Sequence, residues 1–320
     1  MRTPNEIAQH IHRKRHQNDT KICNTCWADT AWFDTLNSDE RHHVRAIAYG
    51  FQNQRTGESR LMCCYSAAAL LGLPVFSHPQ IIEWAAPCSR SWKNIRTWRL
   101  PTERRQAAIA PAAYDHAILC TSIPATCIDI ARLHNLLDGL VAADFALENK
   151  LITHDELHAE AELARRLDGA ERARTLVNLA TPGCQSPMES WLKYQLYIHQ
   201  LPAPIIQAEI LDHSNVRVGF VDALLDQKSV GIEYDGSIKY ENFYKPLEET
   251  LRAERQREKD LQNADLRLFR LTKETVHKGR WVSDLCGMLD DARPFPPERI
   301  RSGYRPVFQY PCPQLTRSRR

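Results

Sequence analysis

Val216-Arg217-Val218-Gly219-Phe220-Val221-Asp222-Ala223-Leu224, followed after a short break by Val230-Gly231-Ile232-Glu233-Tyr234-Asp235-Gly236, is the stretch on which the fold turns. Both segments read as β-strands, whose successive side chains point to opposite faces. In the first, Val216, Val218, Phe220 and Asp222 share a face, so an acid ends an apolar row. In the second, Val230, Ile232 and Tyr234 share one face, and Glu233 and Asp235 project together from the other. Gly236 permits a tight turn or a close approach by a ligand. Two adjacent strands of this kind bring Asp222, Glu233 and Asp235 to one place. Three hard oxygen donors suit magnesium or manganese, and acids gathered this closely repel unless a cation holds them ionised. Such an ion polarises a phosphate, activates a water and stabilises a departing oxygen. Each acid taken singly is equally an ordinary solvated strand-end residue; phase and order together favour the metal site.

Working outward, Ser186-Pro187-Met188-Glu189 opens a helix, with Ser186 as N-cap, Pro187 in the first position and Glu189 three residues after the cap. Glu189 and Lys193 are four apart and point to the same side. Glu189 has two readings, a site acid or simply the capping partner of Ser186. Ile205 to Leu211 reads as a strand, within which Gln207 either lines the site or, more commonly for such a residue, marks the strand's end. Leu247 to Ala264 reads as a long charged helix carrying Arg252, Arg255, Arg257 and Lys259 among Glu254, Glu258 and Asp260. That mixture usually means an exposed, salt-bridged face; phosphate contact is the alternative for Arg257. Leu266 to Leu271 is a last strand. Helix, three strands, helix and strand make an α/β layer.

The rest of the chain sets the frame. Its 320 residues exceed one ordinary domain, and the 43% hydrophobic and 25% charged fractions are those of a globular protein. With 42 Lys and Arg against 39 Asp and Glu, the net charge of +3 neither demands nor excludes nucleic acid. The polar first sixteen residues, with Arg13, Lys14 and Arg15, do not read as a secretory signal, so the expectation is a cytoplasmic protein without a membrane segment. The ten cysteines then read as reduced thiols. Cys23 and Cys26 have zinc-knuckle spacing, but no clean second pair follows, and buried thiols are the favoured reading.

Four regions follow. Residues 1–39 are a lead-in, with a helix over Pro4 to His16 and a loop around Lys21 to Thr30. Residues 40–182 are a second region, overall mostly helical: a helix over Glu40 to Gly50, another from Ser66 to the Gly72-Leu73-Pro74 stop, Trp- and Arg-rich strands over Ile81 to Leu100, and helices from Ile123 to Ala180 with Thr153 capping one of them. Trp84, Trp92 and Trp98 there read as packed core with basic edges, and His42 and His43 as a surface helix. Residues 186–290 are the domain already quoted, after a break at Thr181 to Pro187. Residues 291–320 are a Pro- and Arg-rich, loosely held tail.

The spaced motifs Ser186-Pro187-Met188-Glu189-Ser190, Leu201-Pro202-x-Pro204-x-x-Gln207, Val221-Asp222, Ile232-Glu233-Tyr234-Asp235-Gly236 and Arg257-x-x-Asp260-Leu261 resemble the very-short-patch-repair-like group of the PD-(D/E)XK nuclease superfamily. Over about ninety residues the resemblance implies an αβββαβ domain and a metal-dependent endonuclease. A weaker resemblance, carried by His42 to Ala46, Ser66 to Pro74, Thr121 to Ala131 and Ala142-Ala143-Asp144, is to bacterial antitoxins of the AbiEi type, which often end in such a domain.

The resemblance sets Asp222 and Glu233 on the metal-binding acids and Glu189 on the helix acid. Asp235 stands where many members of the wider superfamily carry a catalytic lysine, although the short-patch-repair-like group commonly shows Glu-x-Asp-Gly here. Lys193, Lys239 and Lys259 are stand-ins for that cation, and Arg257, Lys239 and Arg255 are the expected nucleic-acid contacts. The expected function is Mg2+- or Mn2+-dependent hydrolysis of nucleic acid, DNA rather than RNA, in phage defence or DNA repair. The alternative is a non-cleaving DNA-binding regulator or antitoxin with a cognate toxin as partner.

Overall fold

The computed structural model describes residues 4–55, 61–86, 89–92, 94–100, 107–109, 118–235, 247–290 and 293–306. The chain is of the α/β class, combining helices with mixed sheets, and it divides into two compact units, Met1–Ala180 and Thr181–Arg320. Among the described residues, no helix is long and apolar enough to cross a membrane.

The first unit begins with α1 (Pro4–Ala8), β1 (Ile11–His12), β2 (Asp19–Cys23) and β3 (Cys26–Asp29). The three strands form an antiparallel sheet in the order β1-β3-β2. Next come α2 (Thr30–Asp34), α3 (Ser38–Arg55), β4 (Leu61–Met62), α4 (Cys64–Leu71), β5 (Ile82–Ala86), β6 (Arg90–Trp92), β7 (Ile95–Arg99), β8 (Ala107–Ile109) and β9 (Leu119–Thr121). The second sheet is mixed, ordered β6-β7-β5-β4-β9-β8. Then follow α5 (Ile123–Leu133), α6 (Leu136–Glu148), α7 (His154–Leu163) and α8 (Ala170–Leu179). Thr153 caps α7 in a full capping box with Glu156, and Gly72 ends α4 in the left-handed conformation that a glycine adopts without strain.

Several expectations for this unit are corrected. Helices outweigh strands in it, as expected, but two sheets run through it as well. The first helix stops at Ala8, because Ile11 and His12 pair with Ala28 and Trp27 of β3. Lys21 to Thr30 is a hairpin rather than a loop. Residues 1–39 are no separate lead-in: Ile7, Ile11, Cys23, Cys26 and Phe33 join one core with Val44, Phe51, Met62 and Trp84. Burying each large apolar side chain contributes about 1.5–3 kcal/mol, which outweighs a weak local preference for helix. His42 and His43 lie inside rather than on a surface helix, at 2% and 6% exposure. The Cys23 and Cys26 thiols are buried and donate weakly to the Ala48 carbonyl.

The second unit contains α9 (Pro187–Ile198), β10 (Ile205–Leu211), β11 (Arg217–Leu225), β12 (Val230–Asp235), α10 (Leu247–Asn263), β13 (Arg267–Thr272), α11 (Lys273–Lys278), α12 (Trp281–Asp290) and β14 (Ile300–Tyr304). Its sheet runs β13-β12-β11-β10-β14; β12 and β13 are parallel and the other pairs antiparallel. Leu261, Ala264, Leu266 and Phe295 pack on Ile205, Ala208, Ile210, Val221 and Leu224. The tail is not loosely held over its first part: Phe295 and Arg299 are buried, and β14 adds an edge strand. The Arg299 guanidinium donates to the carbonyls of Leu211 and Ala264, which offsets the cost of burying its charge.

Candidate functional site

The sheet of the second unit sets four polar residues side by side. Ile206 pairs with Ala223 and Ala208 with Val221, so Gln207 stands opposite Asp222. Ala223 pairs with Ile232, which sets Glu233 opposite Asp222 one residue further on. Glu233 in turn pairs with Arg270 across the parallel ladder.

Gln207 is the residue that links the sheet to α9. Its Nε2 donates to Glu189 Oε2 at 3.1 Å and, more weakly, to Asp222 Oδ1 at 3.5 Å. Its φ is 49°, left-handed backbone inside a strand, which costs a residue with a β-carbon about 1–2 kcal/mol. It does not end the strand, as the commoner sequence reading has it; β10 continues to Leu211. An outlier of this kind is retained where the surroundings over-determine it.

Glu189 is the capping partner of Ser186, and it also reaches the sheet through Gln207. Its backbone N–H donates to Ser186 Oγ, and the Ser186 hydroxyl donates back to Oε1 at 2.9 Å. Oε2 accepts the backbone N–H of Gln185 at 3.0 Å as well as the Gln207 amide. Burial raises its affinity for a proton, the nearby Asp222 adds to that, and the hydrogen bonds oppose it. Asp222 Oδ2 accepts the backbone N–H of Tyr234 at 2.9 Å.

Glu233 is mostly buried and gripped by cations. Arg257 Nη2 lies 2.8 Å and 2.9 Å from its two oxygens, and Arg270 Nε lies 3.7 Å from Oε2. Arg257 Nη1 also donates to the Phe220 carbonyl, and Arg270 reaches Glu258 at 3.5 Å. Burial raises the proton affinity of Glu233 and Asp222 adds to it, while Arg257 and Arg270 lower it.

Of the remaining sequence-predicted residues, Lys193 is buried at 1% exposure and donates to Thr181 Oγ1 at 3.0 Å. Arg255 is exposed on α10. The Asp235 backbone pairs with Thr272, but its side chain, like all of Lys239, lies outside the described residues. Sequence reasoning passed over Arg270 and undervalued Gln207. The signal for Arg270 was its phase in β13, legible only once the β12–β13 register is known.

The donor chemistry fits a hard divalent cation: Asp222 and Glu233 are carboxylates on neighbouring strands, and magnesium commonly takes one or two carboxylates plus waters and substrate phosphates. Among the described residues, Glu189, Asp222 and Glu233 do not gather three oxygens within 4.8 Å; the two groups that meet that spacing lie in the first unit. The second unit can thus offer a two-carboxylate grip, with Glu189 approaching from α9 through Gln207. No protein-family model, curated protein or solved structure matches the chain.

Proposed function

We propose that the second unit is an endonuclease-like phosphodiester hydrolase, dependent on Mg2+ or Mn2+ and acting on DNA rather than RNA. The observation that carries this reading is the bridge from Glu189 through Gln207 to Asp222, beside Glu233 on the next strand. One helix and two strands thus bring three acids near one another, with Gln207 held in left-handed backbone between two of them. The element order of α9 to β13, with a parallel β12–β13 pair, supports membership in the PD-(D/E)XK superfamily and its very-short-patch-repair-like group. On the AbiEi-like resemblance, the first unit supplies recognition or regulation, in phage defence or DNA repair.

In this reading Asp222 and Glu233 hold the ion, with Asp235 beside them. When bound, such an ion polarises the phosphate and lowers the pKa of a water. Glu189 orients the attacking water, Gln207 keeps Glu189 and Asp222 at a fixed spacing, and Arg257, turned from Glu233, neutralises charge on the phosphate. Arg255 and Lys239 extend the contact to the nucleic-acid backbone. Lys193, buried and bonded to Thr181, serves better as a support for α9 than as a phosphate ligand.

A second reading, a DNA-binding regulator that does not cut and answers to a cognate toxin, draws on the closed Arg257–Glu233 pair. The deciding experiment is a Mg2+ and Mn2+ titration of the purified chain on labelled single- and double-stranded DNA, beside Asp222→Ala and Glu233→Ala. Metal-dependent cleavage lost in both variants supports the hydrolase. Binding without cleavage, unchanged in either variant, moves the reading to the regulator.

A further inference from the structure

In the first unit, three side chains of different chemistry meet. One donor atom from each of Cys64, Glu83 and His134 lies within 4.8 Å of the other two. Cys64 opens α4 two residues after β4, Glu83 lies in β5, and His134 sits in the C-cap position of α5. Cys64 and Glu83 are buried, whereas His134 is 17% exposed and gives the cluster a side open to solvent.

The backbone is bent to make this meeting. Cys64 has φ 50°, left-handed in a residue that carries a β-carbon, and His134 departs from helical geometry at φ −115°, ψ −92°. Glu83 is held from three sides: Oε1 accepts His134 Nε2 at 2.8 Å and Trp98 Nε1 at 2.7 Å, and Oε2 accepts the Tyr65 backbone N–H at 3.1 Å. The rings of Tyr65 and Trp98 pack on the imidazole.

We propose that Cys64 Sγ, Glu83 and His134 form a zinc site, in which Zn2+ takes the place of the proton that His134 shares with Glu83. Thiolate, imidazole and carboxylate together are a zinc set rather than a magnesium set, and three protein ligands leave a fourth position for water or an outside ligand. Zinc–nitrogen and zinc–oxygen bonds of about 2.0–2.2 Å require the 2.8 Å His134–Glu83 contact to open by roughly half an ångström. On binding the thiol proton leaves to solvent, and the Nε2 proton leaves from an imidazolium or passes to Nδ1 of a neutral ring, so that thiolate and neutral imidazole face the ion. Trp98 Nε1 and the Tyr65 N–H keep their bonds to Glu83 and orient it as outer partners. The other three-donor group, His12, His16 and Asp19, is more exposed and contains no thiol.

The test uses the full chain, stripped of metal and titrated with Co2+ alone, then competed with Zn2+. The expected result is a thiolate-to-cobalt charge-transfer band that saturates at a single ion per chain and is erased by Zn2+. The band disappears in Cys64→Ser and survives in Cys23→Ser/Cys26→Ser, while Trp98→Phe weakens Zn2+ binding about 10-fold. The His12, His16 and Asp19 group cannot produce this band. Should Cys64→Ser fail to fold, His134→Gln carries the same arm, with a weakened band expected. A native chain without the band, a band kept in Cys64→Ser, an unaltered one in His134→Gln, or one lost with Cys23 and Cys26 overturns the proposal.

Discussion

Arg257 Nη2 lies 2.8 Å and 2.9 Å from the two oxygens of Glu233, so a single guanidinium nitrogen covers the acid that a metal would need. The pair is partly screened, since the arginine side chain keeps about a quarter of its surface in solvent. Arg257→Ala is therefore expected to cost about 1–2 kcal/mol, below the figure for a fully buried pair. In the same variant, added Mg2+ raises the melting temperature more than in the native chain, because no guanidinium competes for Glu233. Thermal melts with and without Mg2+ check both; an identical Mg2+ response in the two proteins speaks against a metal at Glu233.

Gln207 allows strain and bonding to be separated. Gln207→Gly removes the amide that joins Glu189 to Asp222 but relieves the left-handed backbone; Gln207→Ala removes the same amide and keeps the strain. The alanine variant is expected to be less stable than the glycine variant by about 1 kcal/mol in urea unfolding. Equal stabilities, or a more stable alanine variant, would show that the φ of 49° is not a strained feature in solution.

Glu189 makes the second unit sensitive to pH in a direction opposite to that of an ordinary salt-bridged acid. Its folded pKa is raised above the usual 4.5, chiefly by burial. The unfolded chain therefore releases this proton first. The group's contribution is complete below its unfolded pKa and is lost as pH rises through the folded value. Glu189→Gln should thus gain stability relative to the native chain as pH rises from about 4 towards neutrality. Urea unfolding across that range is the check, and a gap between the two proteins that does not vary with pH would refute it.

His42 and His43 act on the first unit with the other sign. Burial lowers both from 6.5 to about 4, and neither ring nitrogen of His42 has a hydrogen-bond partner among the described residues. The unfolded chain takes up these protons at higher pH than the folded one. Stability present above about 6.5 is therefore lost as pH falls towards 4, by about 1.4 kcal/mol per pH unit for each histidine. His43→Leu should make that decline shallower by one histidine's share, as read by denaturant unfolding at several pH values. A decline of unchanged slope would mean that His43 is protonated inside the fold.

Local chemistry was enough to locate most of the second unit. Ser186, Pro187 and Glu189 start α9 where capping and proline geometry require, and alternation along Val216–Leu224 and Val230–Asp235 yields β11 and β12. Asp222, Glu233 and Asp235 were legible as a group because strand phase is a property of the chain itself, whereas Glu189 was set beside them only by the resemblance. The first forty residues were misread for the opposite reason. Ile11, Cys23 and Cys26 take their strand pairing and burial from one another and from α3, and no local signal encodes a partner that distant.

By itself, the sequence determined where most helices and strands of the second unit lie, and which acids lie in phase on β11 and β12. Only the tertiary structure decided that Gln207 rather than a lysine stands between Glu189 and Asp222, that Arg257 and Arg270 close on Glu233, and that Cys64, Glu83 and His134 meet. The physical reason is the range of the forces concerned. Capping and side-chain alternation act within a few residues, whereas strand register and burial join residues tens of positions apart and are set by the packing of the whole unit.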